Sequence, residues 1–147
     1  METRKIDILL VEDNPDDADL TIRALKKNGL ASSIIHLQDG EEALDFIFCK
    51  GAYSGRVFEE MPKLLILDLK MPKVDGIEVL RQVKSDSRTK VMPVVLFTSS
   101  NEERDITKSY QSGVNSYIVK PVEFESFVKV VSDVGLYWLS LNQIPHR

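Results

Sequence analysis

Five short apolar runs, at residues 6–11, 34–37, 64–67, 93–97 and 114–119, recur along the chain with amphipathic segments between them. LLIL at 64–67 and PVVLF at 93–97 do not alternate with polar residues. That is the pattern of strands covered on both faces in a parallel sheet. Parallel neighbours need a crossover, and the intervening segments carry helix signals. Asn14 can cap a helix with Pro15 at its first position and Asp16 and Asp17 in its positive first turn. Asp39 with Glu42 and Asp75 with Glu78 place a capping residue three before a glutamate, and Ser100 with Glu103 forms a Ser-x-x-Glu capping box. Pro121 opens a last helix that runs to about residue 141. A strand–helix alternation repeated five times predicts an α/β, doubly wound, five-stranded parallel sheet with five helices, in one domain over 1–147.

The chain has 147 residues, is 43% apolar and 29% charged, and carries a net charge of −4 from 19 basic and 23 acidic side chains. A domain of this size buries roughly 68–70% of the surface its unfolded chain exposes, enough for a core without disulfides or a structural metal. The acidic balance argues against an electrostatic grip on DNA or an anionic membrane. A lone Cys49 allows no internal disulfide and fits a reducing compartment. With neither a leader-like apolar segment nor a run of about 18 apolar residues, the expectation is a soluble, cytoplasmic chain with no membrane partner.

The segment KGAYSGRVFEEMPK at 50–63 is longer than the roughly 2–6 residues usual between a helix and a strand. Its Tyr53, Val57, Phe58 and Met61 predict an extended loop that packs down, as an inert decoration or as a binding loop. In the last helix, Phe124, Phe127, Val128, Val130, Val131, Val134, Tyr137, Trp138 and Leu141 spread over an arc of about 180° at 100° per residue. A helix lying on a sheet needs a stripe only a little wider than about 100°. The excess predicts that Tyr137 or Trp138 anchors a partner or a second copy, unless the 50–63 loop or the tail covers it.

Ligands of open parallel sheets bind beyond the carboxyl ends of the strands, where strand order reverses. The first run ends in Glu12-Asp13, the third in Asp68, the fourth in Thr98 and the fifth in Lys120-Pro121. Any one polar residue there merely marks where a strand stops; four such ends together suggest a site. Two like charges 4 Å apart repel by about 4 kcal/mol at an effective dielectric of about 20, so three carboxylates on one rim call for raised pKa values or a cation. Few ligands, all oxygen, favour Mg²⁺, which keeps waters and takes phosphate oxygens. Lys120 and Thr98 supply an ammonium and a hydroxyl for such oxygens, and Asp68 is a candidate nucleophile for an aspartyl phosphate.

LLVEDNPDD, LLILDLKMPKVDG, VVLFTSS and YIVKP resemble, in order and spacing, the four signature segments of two-component response-regulator receiver domains, over nearly the whole chain. The resemblance implies a CheY-like, flavodoxin-like fold with strand order 2-1-3-4-5. It implies that Asp68 accepts a phosphoryl group from a sensor histidine kinase, with slow self-dephosphorylation rather than enzymatic turnover. By the same resemblance Glu12, Asp13, Asp68 and the backbone carbonyl of Lys70 hold Mg²⁺. Glu12 stands where many receivers have aspartate, so it ligates directly or through a water. Lys120 matches the phosphate-binding lysine, Pro121 a residue whose peptide bond is usually cis in the family, Thr98 the switch hydroxyl and Tyr117 the switch aromatic. Thr98 and Tyr117 would reshape the face of the fourth helix, fifth strand and fifth helix. The 50–63 insertion, TSSNEERDI and Tyr137-Trp138 further resemble stand-alone regulators paired with phytochrome-type kinases. That implies no output domain, no direct DNA binding and a homodimer through the C-terminal helix and that same face.

Other readings fit less well. A phosphohydrolase of the haloacid-dehalogenase type needs an aspartate where Lys70 stands, and Glu12-Asp13 would repel the phosphate of a flavodoxin's FMN. A degenerate receiver would have lost some of the five site positions, and all five are filled. Neither His36 nor His146 has a nucleophile beside it, which argues against a Ser/His/Asp hydrolase. Asp16, Asp17 and Asp19 read as a solvated, helix-capping face, and Cys49 as a thiol without chemistry.

Overall fold

The apolar runs become strands β1 (Ile8–Val11), β2 (Ile34–Leu37), β3 (Leu64–Leu67), β4 (Val94–Thr98) and β5 (Ser116–Val119) in a computed structural model that describes residues 5–27 and 29–145. They pair in parallel in the order β2-β1-β3-β4-β5, as the resemblance implies. His146 lies outside the described residues. Between the strands run α1 (Pro15–Lys27), α2 (Gly40–Ile47), α3 (Gly76–Ser85) and α4 (Glu103–Gln111), and α5 (Phe124–Leu136) follows β5. Three strands start later than the apolar runs. Asp7 turns its carboxylate to the backbone N–H groups of Ser32 and Ser33 just ahead of β1. Pro93 has no N–H for a ladder, and the Asn115 side chain accepts from Val94 N at 2.8 Å where β5 would otherwise begin.

The central strands β1, β3 and β4 are buried on both faces, which is why they read as unbroken apolar runs, while the edge strands β2 and β5 are only partly buried. Leu9, Val11, Leu65, Leu67 and Leu96 pack under α2 and α3, and Ile8, Leu10, Leu64, Ile66, Val95 and Phe97 under α1 and α5. Fully burying one such side chain contributes roughly 1.5–3 kcal/mol. Phe97 meets Phe127 edge-on at 5.0 Å and ties β4 to α5.

Asn14 Oδ1 accepts from the N–H groups of Asp16 and Asp17, and Asp39 and Asp75 accept from Glu42 and Glu78, as their spacing predicts. The Ser100–Glu103 box does not form. Ser100 Oγ donates instead to Asp105 Oδ2 at 2.6 Å, and α4 starts behind Glu102. Nor does Pro121 open α5. Lys120 N–H still bonds Thr98 O at 2.7 Å, so Pro121 is the exit from the sheet and the helix starts behind Glu123. The Lys120–Pro121 bond is trans, the isomer intrinsically preferred before proline, and not cis. Beyond α5, Tyr137–Leu141 continue as one wider turn.

The 50–63 loop packs down onto α2. Tyr53 meets Phe46 edge-on at 5.1 Å and donates to Glu42 Oε2, the Arg56 guanidinium stacks on Phe46 at 3.7 Å, and Met61 is buried. It joins the core on the α2–α3 side, away from α5, where Phe124, Leu136, Tyr137 and Leu141 stay exposed. The structure separates the two anchor candidates: Trp138 packs against the core, and Tyr137 is 50% exposed. No helix among the described residues is long and apolar enough to cross a membrane.

Candidate functional site

The backbone brings the strand ends into line before any side chain acts. Glu12 N–H bonds Leu37 O at 3.0 Å, Asp68 N–H bonds Val11 O at 3.0 Å, and Lys120 N–H bonds Thr98 O. Three of the four pairs of neighbouring strands are thus zipped to their carboxyl ends, and the side chains there share one rim. His36, the unassigned histidine of the sequence, has a positional role: its Nε2 lies 2.8 Å from Glu12 O. Gly76 lets α3 close on the Asp68 loop, donating to Leu69 O at 2.7 Å.

Glu12, Asp13 and Asp68 each offer a carboxylate oxygen, all within 4.8 Å of one another. Glu12 is 3% exposed and Asp68 is buried, while Asp13 opens to solvent. Burial pushes the Glu12 carboxyl up to about 7, with Lys120 opposing the shift and the charge of Asp68 adding to it. Clustered acidic oxygens, one of them costly to ionise, fit a small divalent cation, which needs hard oxygen donors and supplies the missing positive charge. Lys70 is exposed on the loop that follows β3.

Lys120 is the local counter-charge. Its buried ammonium lies 2.7 Å from Glu12 Oε1, 2.9 Å from Asp17 Oδ2 and 3.4 Å from Asp68 Oδ2. Burial alone would lower its pKa; bonds to Glu12 and Asp17 and the charge of Asp68 outweigh that and hold it above the usual lysine range. The partnership with Asp17 corrects the sequence reading, which left Asp17 on a solvated face. Its neighbours do keep to solvent, Asp19 pairing with Arg23 at 3.0 Å. Asp17, Thr21 and Leu25 fall at i, i+4 and i+8 along the buried stripe of α1, and that spacing is the signal that sets Asp17 apart.

Asp68 Oδ1 accepts from Leu69 N–H at 2.7 Å, leaving Oδ2 toward Lys120. Thr98 is buried at the end of β4, its hydroxyl oxygen 3.4 Å from Ser100 N. Tyr117, half-buried, donates its hydroxyl to Ser100 O at 2.9 Å, and burial pushes its pKa up. The backbone of Ser100 therefore contacts both Thr98 and Tyr117.

A doubly wound sheet in this strand order, with acids, a hydroxyl and a lysine on the rim, defines a receiver. The chain belongs to the response regulator receiver domain family, whose match covers residues 8–132. It is similar to the phosphorylated cyanobacterial phytochrome response regulator RcpA, at 36% identity over 99% of this chain and 100% of that one, with a TM-score of 0.88. The Mn²⁺-bound form of the response regulator Rcp1 matches at 35% identity over 96% and 99% of the two chains, TM-score 0.88. A further relative, "Probable methanogenesis regulatory protein FilR2" of Methanothrix harundinacea, is 41% identical over 94% of this chain and 86% of its own length.

Proposed function

We propose that this chain is a stand-alone, phosphorylation-operated switch in which Asp68 receives a phosphoryl group from the phosphohistidine of a sensor kinase. The observation that carries this reading is the convergence on Asp68 of an ammonium and two further carboxylates at one strand rim. An Asp68 oxygen forms the bond to phosphorus as the phosphorus–nitrogen bond breaks, and the histidine ring leaves with the electron pair. Lys120 stays an ammonium and donates to a phosphoryl oxygen. Glu12, Asp13, Asp68 and the Lys70 carbonyl would hold Mg²⁺, which when bound offsets the charge gathered there. Water then slowly hydrolyses the acyl phosphate; by the family resemblance Lys70 and Ser100, two positions beyond Asp68 and Thr98, tune that rate.

Thr98 turns its hydroxyl toward the phosphoryl group, Tyr117 gives up Ser100 O and turns inward, and the α4-β5-α5 face changes shape. The switch works because phosphate binds one arrangement better than the other. The match to RcpA, over 99% of this chain, supports a phytochrome-type kinase as partner. Intact mass after incubation with Mg²⁺ and a small phosphodonor tests the reading. One base-labile phosphoryl group is expected; no gain, together with no beryllofluoride binding, overturns it.

Metal binding leaves its own signature. Without a divalent cation the folded chain holds a proton on Glu12 that the unfolded chain releases nearer the ordinary value of 4.5, so stability falls as pH rises from about 4.5 to about 7. Mg²⁺ at about a hundred times its Kd adds about 2.7 kcal/mol and flattens this slope. Urea melts across that window, with and without Mg²⁺, check it; parallel curves would refute the cation site.

The exposed Tyr137 and Leu141, 50% and 63% accessible, support a homodimer through the C-terminal helix. Replacing both with serine should shift sedimentation from dimer to monomer while phosphorylation proceeds. An unaltered profile removes this interface.

A further inference from the structure

Phosphate binding asks of Lys120 only that it face Asp68, yet the structure gives it a second anchor 103 positions away in sequence. Asp17 is itself firmly placed. Asn14 Oδ1 accepts from its N–H at 3.0 Å, and the Thr21 hydroxyl bonds its carbonyl at 2.8 Å. Its carboxylate is 32% exposed and reaches across from α1 to the end of β5. An ammonium has three N–H donors, and here each faces one carboxylate. The bonds to Glu12 and Asp17 are short, at 2.7 and 2.9 Å, and the contact with Asp68 is long, at 3.4 Å.

We infer that Asp17 is a positioning residue for phosphoryl transfer: with Glu12 it holds the Lys120 ammonium back from Asp68 and aims the third N–H at the incoming phosphoryl oxygen. The inference rests on the reading of Asp68 as phosphoacceptor. A lysine stem is flexible and its head is a point charge without the fixed fork of arginine, so direction must come from its partners. With Glu12 alone as anchor, the ammonium would settle onto the Asp68 oxygen. A direct, short, charge-assisted bond there draws electron density from the oxygen that must attack phosphorus.

With Asp17 present, the contact stays long and that oxygen keeps its nucleophilicity. It forms the bond to phosphorus as the bond from phosphorus to the donor's leaving atom breaks, and the leaving atom keeps the electron pair. Lys120 remains an ammonium and Asp17 a carboxylate throughout, so no proton passes through either. A cleft of about 370 Å³ opens beside the pair, lined by Asp17, Lys120, Leu20, Ser99, Pro121 and Phe124.

The test is the phosphorylation rate of the full chain with acetyl phosphate and Mg²⁺. Asp17→Ala should lower the rate at saturating donor about tenfold while leaving the half-saturating donor concentration and the Mg²⁺ affinity within about twofold. Asp17→Asn, which keeps the shape, should be slowed in the same direction, and Asp17→Glu should recover most of the rate. Asp19→Ala, on the solvent side of the same helix, should match the wild type. In ¹⁵N spectra of the lysine ammonium groups, the Lys120 signal should stand apart from the mobile lysines in the wild type and shift in Asp17→Ala, as the N–H released by Asp17 turns to Asp68. An unreduced rate in Asp17→Ala, or an unmoved Lys120 signal, overturns the inference and leaves the Asp68 reading standing. A wild type that takes no phosphoryl group overturns both.

Discussion

Asp68→Asn will carry no detectable phosphoryl group under conditions that phosphorylate the wild type, a loss of at least about a thousandfold in rate. The substitution changes little else. A carboxamide oxygen can still accept from Leu69 N–H, as Asp68 Oδ1 does at 2.7 Å, so the turn after β3 keeps its shape. Lys120 retains Glu12 and Asp17 as acceptors, so no buried ammonium is stranded. What disappears is the nucleophile, since an amide nitrogen has no lone pair free to attack phosphorus. The variant should show the circular dichroism and melting of a folded receiver with reduced Mg²⁺ affinity, one of the three clustered carboxylates being gone. Intact mass beside the wild type decides it. An equal phosphoryl load on the variant would move the acceptor to a neighbour, Asp13 or Asp17, and sink the assignment.

The sequence was informative where one physical cause dominates. A strand buried on both faces must be apolar at every position, so β3 is read to the residue. Where two groups compete for one partner, the pattern misleads. Ser100 has the spacing of a capping box, but Asp105 is within its reach at 2.6 Å and takes the hydroxyl. Pro121 suits a first helical position, but the ladder bond from Lys120 to Thr98 holds the chain in the sheet for longer. Both outcomes depend on tertiary geometry that spacing along one segment does not contain.

The rim shows the same division. Glu12, Asp13, Asp68, Thr98 and Lys120 were legible because each ends a strand, and strand ends of a parallel sheet meet by topology alone. Asp17 ends nothing. It reaches the rim only because the first turn of α1 lies over the carboxyl end of the sheet, on the helix stripe shared with Thr21 and Leu25. His36 likewise acts sideways, through the carbonyl of Glu12 on the next strand.

Gly76→Ala should damage both fold and site through a single methyl. A Cβ there would sit 2.3 Å from Asp68 O and 2.8 Å from Leu69 Cα, and both are backbone atoms that cannot rotate aside. Either α3 or the Asp68 loop must move, and Gly76 N–H would lose its 2.7 Å bond to Leu69 O. Overpacking against backbone with a lost buried hydrogen bond should cost about 3–4 kcal/mol, lowering Tm by about 10 °C. The displaced loop carries the acceptor, and a misplacement near 1 Å can slow a reaction by about a hundredfold, so phosphorylation should fall further than stability accounts for. Gly55→Ala is the matched control: nothing lies within 4 Å of its Cβ, and it should melt with the wild type. Thermal melts and phosphorylation rates of the two variants separate the effects. If Gly76→Ala melts with Gly55→Ala and reacts at the wild-type rate, the close approach of α3 to the Asp68 loop is not what positions the acceptor.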